Sequence, residues 1–296
     1  MKDRGQKPED RSQRGSAIII TVLIVTILVA LVVEFAYEVY IDTSSLSNWT
    51  NAQKASLIAK SGQILSTTYL DEVKKIYNTE AVIELPVERD LGLNTQLILK
   101  IEDENAKFNI NSIIRPNGTT NDDTLLSLQN LFKYLNINPK LADVIADWMD
   151  TDSEPGNGLA DSEDNAKNAL LQSIDELKLI PVIDKNTFDK ISPFITVYGN
   201  NKININTAKL PVLMSFKDMT EARAKQIIDY REITPFKLTS DIEKVGIGNP
   251  GTRMIGYIRT TSSNFRITTK ATVNEIIRII ESVVDNTSRI QFWREE

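Results

Sequence analysis

Ala17 to Val33 is a run of seventeen residues without a charge, in which only Thr21 and Thr26 are polar, and it starts directly behind a charged stretch that ends in Arg14-Gly15-Ser16. At about 1.5 Å per residue, a helix of that length crosses most of a ~30 Å hydrocarbon layer. A bilayer leaves little choice of fold, because each backbone amide inside it must bond within the spanning element itself.

A secretory signal places a small-residue cleavage site after its apolar core. Here Glu34-Phe35-Ala36-Tyr37-Glu38-Val39-Tyr40 follows instead, so the segment is predicted to stay as an anchor over about 17–37. Lys2, Arg4, Lys7, Arg11 and Arg14 against Asp3, Glu9 and Asp10 give residues 1–15 a charge of +2. By the positive-inside tendency this end faces the cytoplasm, and the chain beyond Tyr40 lies on the other side of the membrane.

The whole chain carries −6, which becomes −8 without that leader, a balance that argues against nucleic acid as a partner. Cys and His are absent. Their absence excludes disulfides, thiolate nucleophiles, the usual zinc sites and imidazole acid–base chemistry, and no enzymatic function is predicted.

Beyond the anchor, Leu46, Trp49, Leu57, Ile58, Ile64, Leu65, Tyr69, Val73 and Ile76 recur at helical spacing with no intervening Pro. One long helix over 16–77, amphipathic in its second half, follows from that pattern. Pro86 interrupts the chain, Gln96 to Asp103 alternates as a strand, and Lys107 to Ile110 reads as its hairpin partner. From Thr124 the period turns helical, with a turn at Asn136 to Pro139 and a second helix from Leu141 to Met149. Helices are expected to dominate to about Val245, after which Gly246 to Gly251 returns the chain to the sheet. Phe265 to Ala271 alternates as a strand. Ile276, Ile277, Ile279, Ile280, Val283 and Val284 sit at helical spacing but are uniformly β-branched, and are predicted as a strand as well.

Between Lys140 and Lys167 there is no basic residue, yet Asp143, Asp147, Asp150, Asp152, Glu154, Asp161, Glu163 and Asp164 all fall there. Asp150 and Asp152 alternate as oxygen donors do in calcium loops, Gly156 and Gly158 permit sharp turns, and Glu163-Asp164 can return two carboxylates to the same point. Calcium takes about six to eight oxygens from such a flexible loop. The spacing is not that of an EF-hand, and composition alone leaves a calcium loop and a solvated acidic loop both open.

The basic leader ending in Gly, joined to a retained apolar helix, resembles the class III leader of type IV pilins and type II secretion pseudopilins. That resemblance implies a prepilin peptidase cutting between Gly15 and Ser16 and methylating the new amine of Ser16; an uncleaved single-span anchor is the alternative. Asp147-Trp148-Met149-Asp150-Thr151-Asp152 with Pro155 and Glu163-Asp164, then Leu177-Lys178-Leu179-Ile180, Ser192-Pro193-Phe194-Ile195-Thr196-Val197 and Asn204-Ile205-Asn206-Thr207-Ala208, resemble the general secretion pathway protein K family, the large minor pseudopilins of type II secretion.

The resemblance implies an α+β, type IV pilin-like fold: a long amino-terminal helix packed on an antiparallel sheet, with a large inserted α-helical domain. The leader is then 1–15, the helix 16–77, the β region 78–113 and 255–296, and the insertion 114–254, with its acidic loop at 147–164. It further implies a calcium site with Asp150, Asp152, Glu163 and Asp164 as ligands and Asp147, Glu154 and Asp161 as secondary candidates. The implied role is a single-pass inner-membrane subunit, its main domain periplasmic, that caps the tip of the pseudopilus and initiates assembly. Its partners would be other minor pseudopilins, the major pseudopilin, the prepilin peptidase, and the secretin or secreted substrates. Ile20 stands where most pilins carry the fifth-residue Glu. A carboxylate inside a bilayer is costly without a partner, and a subunit with nothing above it has none to offer.

Two rival readings remain. Residues 204–246 also resemble the helix-hairpin-helix of competence-type DNA receptors, but the turn Lys217-Asp218-Met219-Thr220-Glu221 lacks the Gly-x-Gly whose bare amides meet a phosphate. The other is a calcium-dependent adhesin or binding module on a plain anchor.

Overall fold

A 68-residue helix, α1 (Glu9–Ile76), forms the axis of the molecule and is about 100 Å long at the usual helical rise. A computed structural model describes residues 9–76, 80–87, 91–151 and 166–296 of the chain. The helix starts upstream of the expected Ser16 and runs through Arg14-Gly15-Ser16 unbroken, since a single Gly in a helix costs only about 1 kcal/mol. Tyr77, its expected last residue, lies outside the described residues.

After α1 come β1 (Val82–Pro86) and β2 (Thr95–Asp103), then a helical region, then β7 (Asn264–Val273), β8 (Ile276–Asp285) and β9 (Ile290–Glu295). These five strands form one antiparallel sheet in the order β1-β2-β7-β8-β9. The β-branched run 276–284 is the strand its side chains favour, joined to β7 by a tight turn with Asn274 at φ +53°. β1 has no counterpart in the sequence reading; it is an edge strand, where the Pro86 that closes it costs no ladder bond.

The second half of α1 lies on this sheet with small side chains inward. Ala55, Ala59, Gly62, Gln63 and Ser66 are buried, whereas Leu46, Trp49, Leu57 and Ile64 of its apolar spacing are exposed. Small residues let the helix approach closely: a Cβ on Gly62 would stand 3.0 Å from Leu99 Cδ2 and 3.1 Å from Thr269 Cγ2. The buried Gln63 then fixes the register. Its amide donates to the Ile267 and Ile280 carbonyls at 3.0 and 2.9 Å, and its Oε1 accepts from Ser282 Oγ at 2.7 Å.

The helix runs antiparallel to β7. Ser47 and Asn48 flank Thr272, Gln63 meets Ile267, and Leu70 packs with Phe265. The helical region leaves the sheet at Asp103 and rejoins it at Asn264, so it sits at the end remote from the apolar segment. From Val33 to Leu70 the helix alone spans about 55 Å.

That region contains β3 (Phe108–Asn109), α2 (Asp122–Tyr134), α3 (Leu141–Met149), α4 (Lys185–Ile191), β4 (Ile195–Thr196), β5 (Ile203–Asn204), α5 (Leu210–Leu213), α6 (Glu221–Ile233), α7 (Asn249–Met254) and β6 (Ile258–Arg259). Leu128, Leu131, Phe132, Ile145 and Met149 centre its core, and Phe108, Ile110, Ile113 and Ile258 join it, so the packed unit extends past 114–254 at both ends.

Residues 107–110 are not the hairpin partner of β2. The Asp103 side chain accepts the Asn105 amide at 2.8 Å and caps a turn of 3-10 helix, which takes the chain off the sheet; β3 then pairs parallel with β4, and β2 pairs with β7. Between Gly246 and the sheet the chain is not simply a loop either, since α7 intervenes.

Two adjacent buried carboxylates hold the insertion to the sheet. Asp103 accepts from Thr207 Oγ1 at 2.5 Å, Asn204 Nδ2 at 3.1 Å and the Ser262 hydroxyl. Glu104 receives Lys107 Nζ at 2.8 Å, Arg266 Nε at 2.7 Å and the Thr196 hydroxyl. Burial raises the Asp103 carboxyl above the usual range despite these donors. Burial would raise Glu104 too, but the charges of Lys107 and Arg266 and their hydrogen bonds outweigh it and hold the group below its usual 4.5.

The two have opposite signs. The Asp103 contribution is full at low pH and fades as pH rises through its folded value, whereas that of Glu104 is full above 4.5 and fades as pH falls through its folded value. Glu104→Gln is therefore expected to cost about 3 kcal/mol at neutral pH by stranding buried cations. It should also flatten the loss of stability that thermal melts would read as pH falls below 4.5; a variant that melts like the parent across that range would contradict this.

Candidate functional site

The apolar segment of α1 is exposed throughout. Ile18, Ile19, Ile20, Val22 and Leu23 onward to Ile41 face outward, and an 18-residue window reaches a mean hydropathy of 3.1 with none of it buried. By length and composition this stretch can cross a membrane. Its hydroxyls are satisfied internally: Thr21 Oγ1 donates to the Ala17 carbonyl at 3.0 Å and Thr26 Oγ1 to that of Val22 at 2.8 Å. Gly15 and Ser16 lie at the start of this exposed segment, and a Cβ on Gly15 would meet no atom within 4 Å.

In the insertion, Asp143, Asp147 and Asp150 fall on one face of α3 at spacings of four and three, and all three are buried. Gln129 Nε2 donates to both Asp143 oxygens at 3.0 and 3.1 Å; burial, then the charge of Asp147, still leaves the Asp143 carboxyl raised. Asp150 ends the helix, with its Oδ2 taking the Thr120 hydroxyl at 3.2 Å. Thr151 follows, clamped to the Gly118 carbonyl at 3.2 Å, where φ of +85° admits only glycine comfortably.

The chain returns to the same place. The amides of Lys167 and Asn168 both donate to the Trp148 carbonyl, at 3.0 and 3.1 Å. The Lys167 ammonium turns away to Glu176, so the basic residue that closes the acidic run is engaged elsewhere. The structure thus brings Asp147 and Asp150 to one shelf and anchors both ends of the loop beside it. Asp152, Glu154, Asp161, Glu163 and Asp164 lie outside the described residues. Among the described residues no three acidic side chains converge as a metal site would require.

The Asn204-Ile205-Asn206-Thr207-Ala208 motif proves to be a latch. Asn204 and Thr207 bind Asp103, while Asn206 Nδ2 reaches the carbonyls of Phe236 and Thr260, both at 2.9 Å, and its Oδ1 accepts the Phe236 amide at 2.8 Å. Arg231 of α6 completes it, donating to the carbonyls of Ile205 and Ala208 at 2.7 and 2.8 Å; burial lowers its pKa to about 10.

Two hairpins follow the latch. In the first, between α5 and α6, Asp218 occupies the left-handed conformation at φ +60°, its carboxylate held by Arg253 and its carbonyl by Arg223 Nη1 at 2.9 Å. In the second, Gly246 and Gly248 have φ of +75° and +72° around the buried Ile247. A Gly-x-Gly turn is therefore present, at the position read from sequence as a mere return to the sheet. The signal was the Gly246-Ile247-Gly248 triplet itself.

Residues 106–200 match the family model of type II secretion system (T2SS), protein K, and residues 199–249 match a helix-hairpin-helix motif. The type II secretion system protein K of Pseudomonas aeruginosa is 24% identical over 261 residues, which cover 79% of this chain and 77% of that protein. The protein of the same name from Aeromonas hydrophila is 23% identical over 229 residues, 68% and 69% of the two chains. Among solved structures, a chain of the GspK-GspI-GspJ complex of the enterotoxigenic Escherichia coli type 2 secretion system superposes with a TM-score of 0.64 at 19% identity, covering 86% of this chain and 99% of that one. The fold is thus pilin-like with a helical insertion, as the sequence reading expected.

The first hairpin turn presents an ion-paired Asp where an anion cradle would need bare amides, so a phosphate would have the Gly246-Ile247-Gly248 turn alone, in a chain of net charge −6. A short DNA duplex mixed with the full chain at low salt is accordingly expected to migrate unretarded in a gel. Retardation that weakens steeply with added salt would overturn that expectation.

Proposed function

The chain is recognised as a member of the type II secretion system protein K family, and from that premise we propose that it is a minor pseudopilin that caps the pseudopilus tip and initiates its assembly. The observation that carries this reading is the placement of the insertion. A bundle entered at Asp103 and left at Asn264 sits at the end of the sheet farthest from the apolar segment, the end over which another subunit of a filament would have to lie. Ile20 agrees with a subunit that has none above it.

The outward face of α1 supplies the contact surface. Leu46, Trp49, Leu57 and Ile64 continue the apolar segment as an exposed stripe on a helix whose opposite face is taken by the sheet. Such a stripe suits the long helices of neighbouring subunits, other minor pseudopilins first and the major pseudopilin below. The apolar segment places the subunit in the inner membrane until assembly, with the sheet and insertion on the periplasmic side, where they meet the secretin or secreted proteins. A prepilin peptidase would act at Gly15-Ser16.

Calcium belongs to the same reading. The donors around the shelf are all oxygen, with Asp150 at the loop's first anchor and Asp147 one turn earlier, and Lys167 is drawn off to Glu176. Asp150, Asp152, Glu163 and Asp164 would hold the ion, with Asp147, Glu154 and Asp161 in support. When bound, calcium would neutralise the loop and cross-link it, a role that disulfides cannot fill in a chain without Cys.

Two measurements test these statements separately. Mass spectrometry of the native protein is expected to find a methylated chain beginning at Ser16; an intact Met1 would favour a plain membrane anchor carrying a binding module. Chelation with EDTA is expected to lower the melting temperature of the full chain by about 5 °C or more, and Asp150→Ala to remove that response. A melt indifferent to EDTA would discard the metal.

A further inference from the structure

The outer edge of β9 is open. This last strand of the sheet pairs with β8 alone. Glu296 and Ile279 exchange both main-chain bonds, at 3.0 and 2.8 Å, and the register then sets Glu295 on Ile280, Arg294 on Glu281, Trp293 on Ser282 and Phe292 on Val283. Bonded and non-bonded pairs alternate in an antiparallel ladder, so Arg294 and Phe292 bond to β8 while Glu295 and Trp293 turn their N–H and C=O groups outward. Among the described residues nothing bonds to those outward groups.

An edge strand is commonly guarded by Pro or by charge. β1, the opposite edge, has Glu84 exposed and ends at Pro86. β9 instead carries Ile290, Phe292 and Trp293 without a Pro, and its charges are engaged within the chain, Arg294 with Glu281 at 2.8 Å and Glu295 with Lys60 at 3.1 Å. A bulge then sorts the side chains. Val283 pairs with Phe292 but Val284 with Ile290, so Gln291 is an extra residue, and it brings Ile290 and Trp293 onto the same face of the strand. That face is the one toward α1, since Ser282, opposite Trp293, bonds to Gln63. Ile290 and Trp293 are 55% and 43% exposed there, beside the flank of α1 whose Ser56 and Lys60 hold Glu295.

We propose that β9 accepts a sixth strand, an extended segment of a partner protein that bonds to the main chain of Trp293 and Glu295 and carries apolar side chains at alternate positions. Outward N–H and C=O groups in a row along an edge are matched by another extended chain, whereas a helix has already spent its own amides. The alternation follows from Ile290 and Trp293, which a same-face pair on the added strand would cover. The inference stands on the sheet edge and does not depend on whether the chain caps a filament.

The test pans a randomised octapeptide display library on the full chain in detergent micelles, with counter-selection on empty micelles. The expected consensus alternates apolar and polar residues. Synthetic peptides of that consensus, each N-methylated at one residue, should lose about tenfold in affinity at alternate positions only, because one parity of the strand faces β9 and the other faces away. Hydrogen exchange should slow at the Trp293 and Glu295 amides when the peptide binds. Trp293→Thr, which keeps the outward N–H, should weaken binding less than Trp293→Pro, which removes it without costing a bond to β8. If Trp293→Pro does not melt cooperatively, the N-methyl series and the exchange carry the decision. No enriched peptide, a consensus at helical spacing, equal loss at every N-methyl position, unchanged exchange at those two amides, or a Trp293→Pro variant that binds as well as Trp293→Thr would overturn the proposal. A dimer of the chain that Trp293→Pro dissociates would overturn it in favour of a second copy at this edge.

Discussion

The architecture depends on two buried carboxylates at the point where one chain must serve two folds. Asp103 closes β2, and Glu104 begins the departure into the insertion. Between them they collect donors from the hairpin latch at Asn204 and Thr207, from the returning chain at Ser262, from β4 at Thr196, and from β7 at Arg266. A sheet carrying an insertion of this size needs its two crossing strands held at a fixed separation, and hydrogen bonds to a charged acceptor do so with more directional precision than apolar contact. The arrangement is costly to break from one side, because removing an acid leaves cations and hydroxyls without partners in a dry place.

Much of the fold was legible because the physical signals were local. The uncharged run, the helix periods at 122–134 and 141–149, and the β-branched composition of 276–284 each report on a single element. The misreadings were about partners. Residues 107–110 carry a strand-like pattern, but a side-chain cap at Asp103 decides which strand they can reach, and that cap forms only in three dimensions. The apolar positions of α1 were read only as the mark of an amphipathic helix, and of them Ile58 and Leu65 pack against the sheet while Leu46, Trp49, Leu57 and Ile64 face outward. The sheet instead took the face with Ala55, Ala59 and Gly62, since close approach of a helix to a sheet favours small residues.

Of the residues proposed to hold a metal, only Asp147 and Asp150 fall among the described residues. Asp147 and Asp150 are both buried at the end of α3, and the chain at Lys167 and Asn168 bonds back to the Trp148 carbonyl. The Asn204 to Ala208 motif, read from sequence as a family match, is a set of hydrogen bonds that ties this part of the insertion to Asp103 at the end of β2. The helix-hairpin-helix scaffold is present, with Asp218 of its first turn paired to Arg253 at the surface and the Gly-x-Gly turn lying in its second hairpin.

The unbroken length of α1 makes it a lever. Some 55 Å of helix separate Val33 from the level of Leu70, so a tilt of about 10° of the apolar segment sweeps the far end sideways by about 10 Å. Gln63 and the close contact at Gly62 clamp the sheet rigidly to that rod, and the two carboxylates clamp the insertion to the sheet. Small reorientations of the apolar segment thus become displacements as wide as a helix at the opposite end, with no break in α1 along the way.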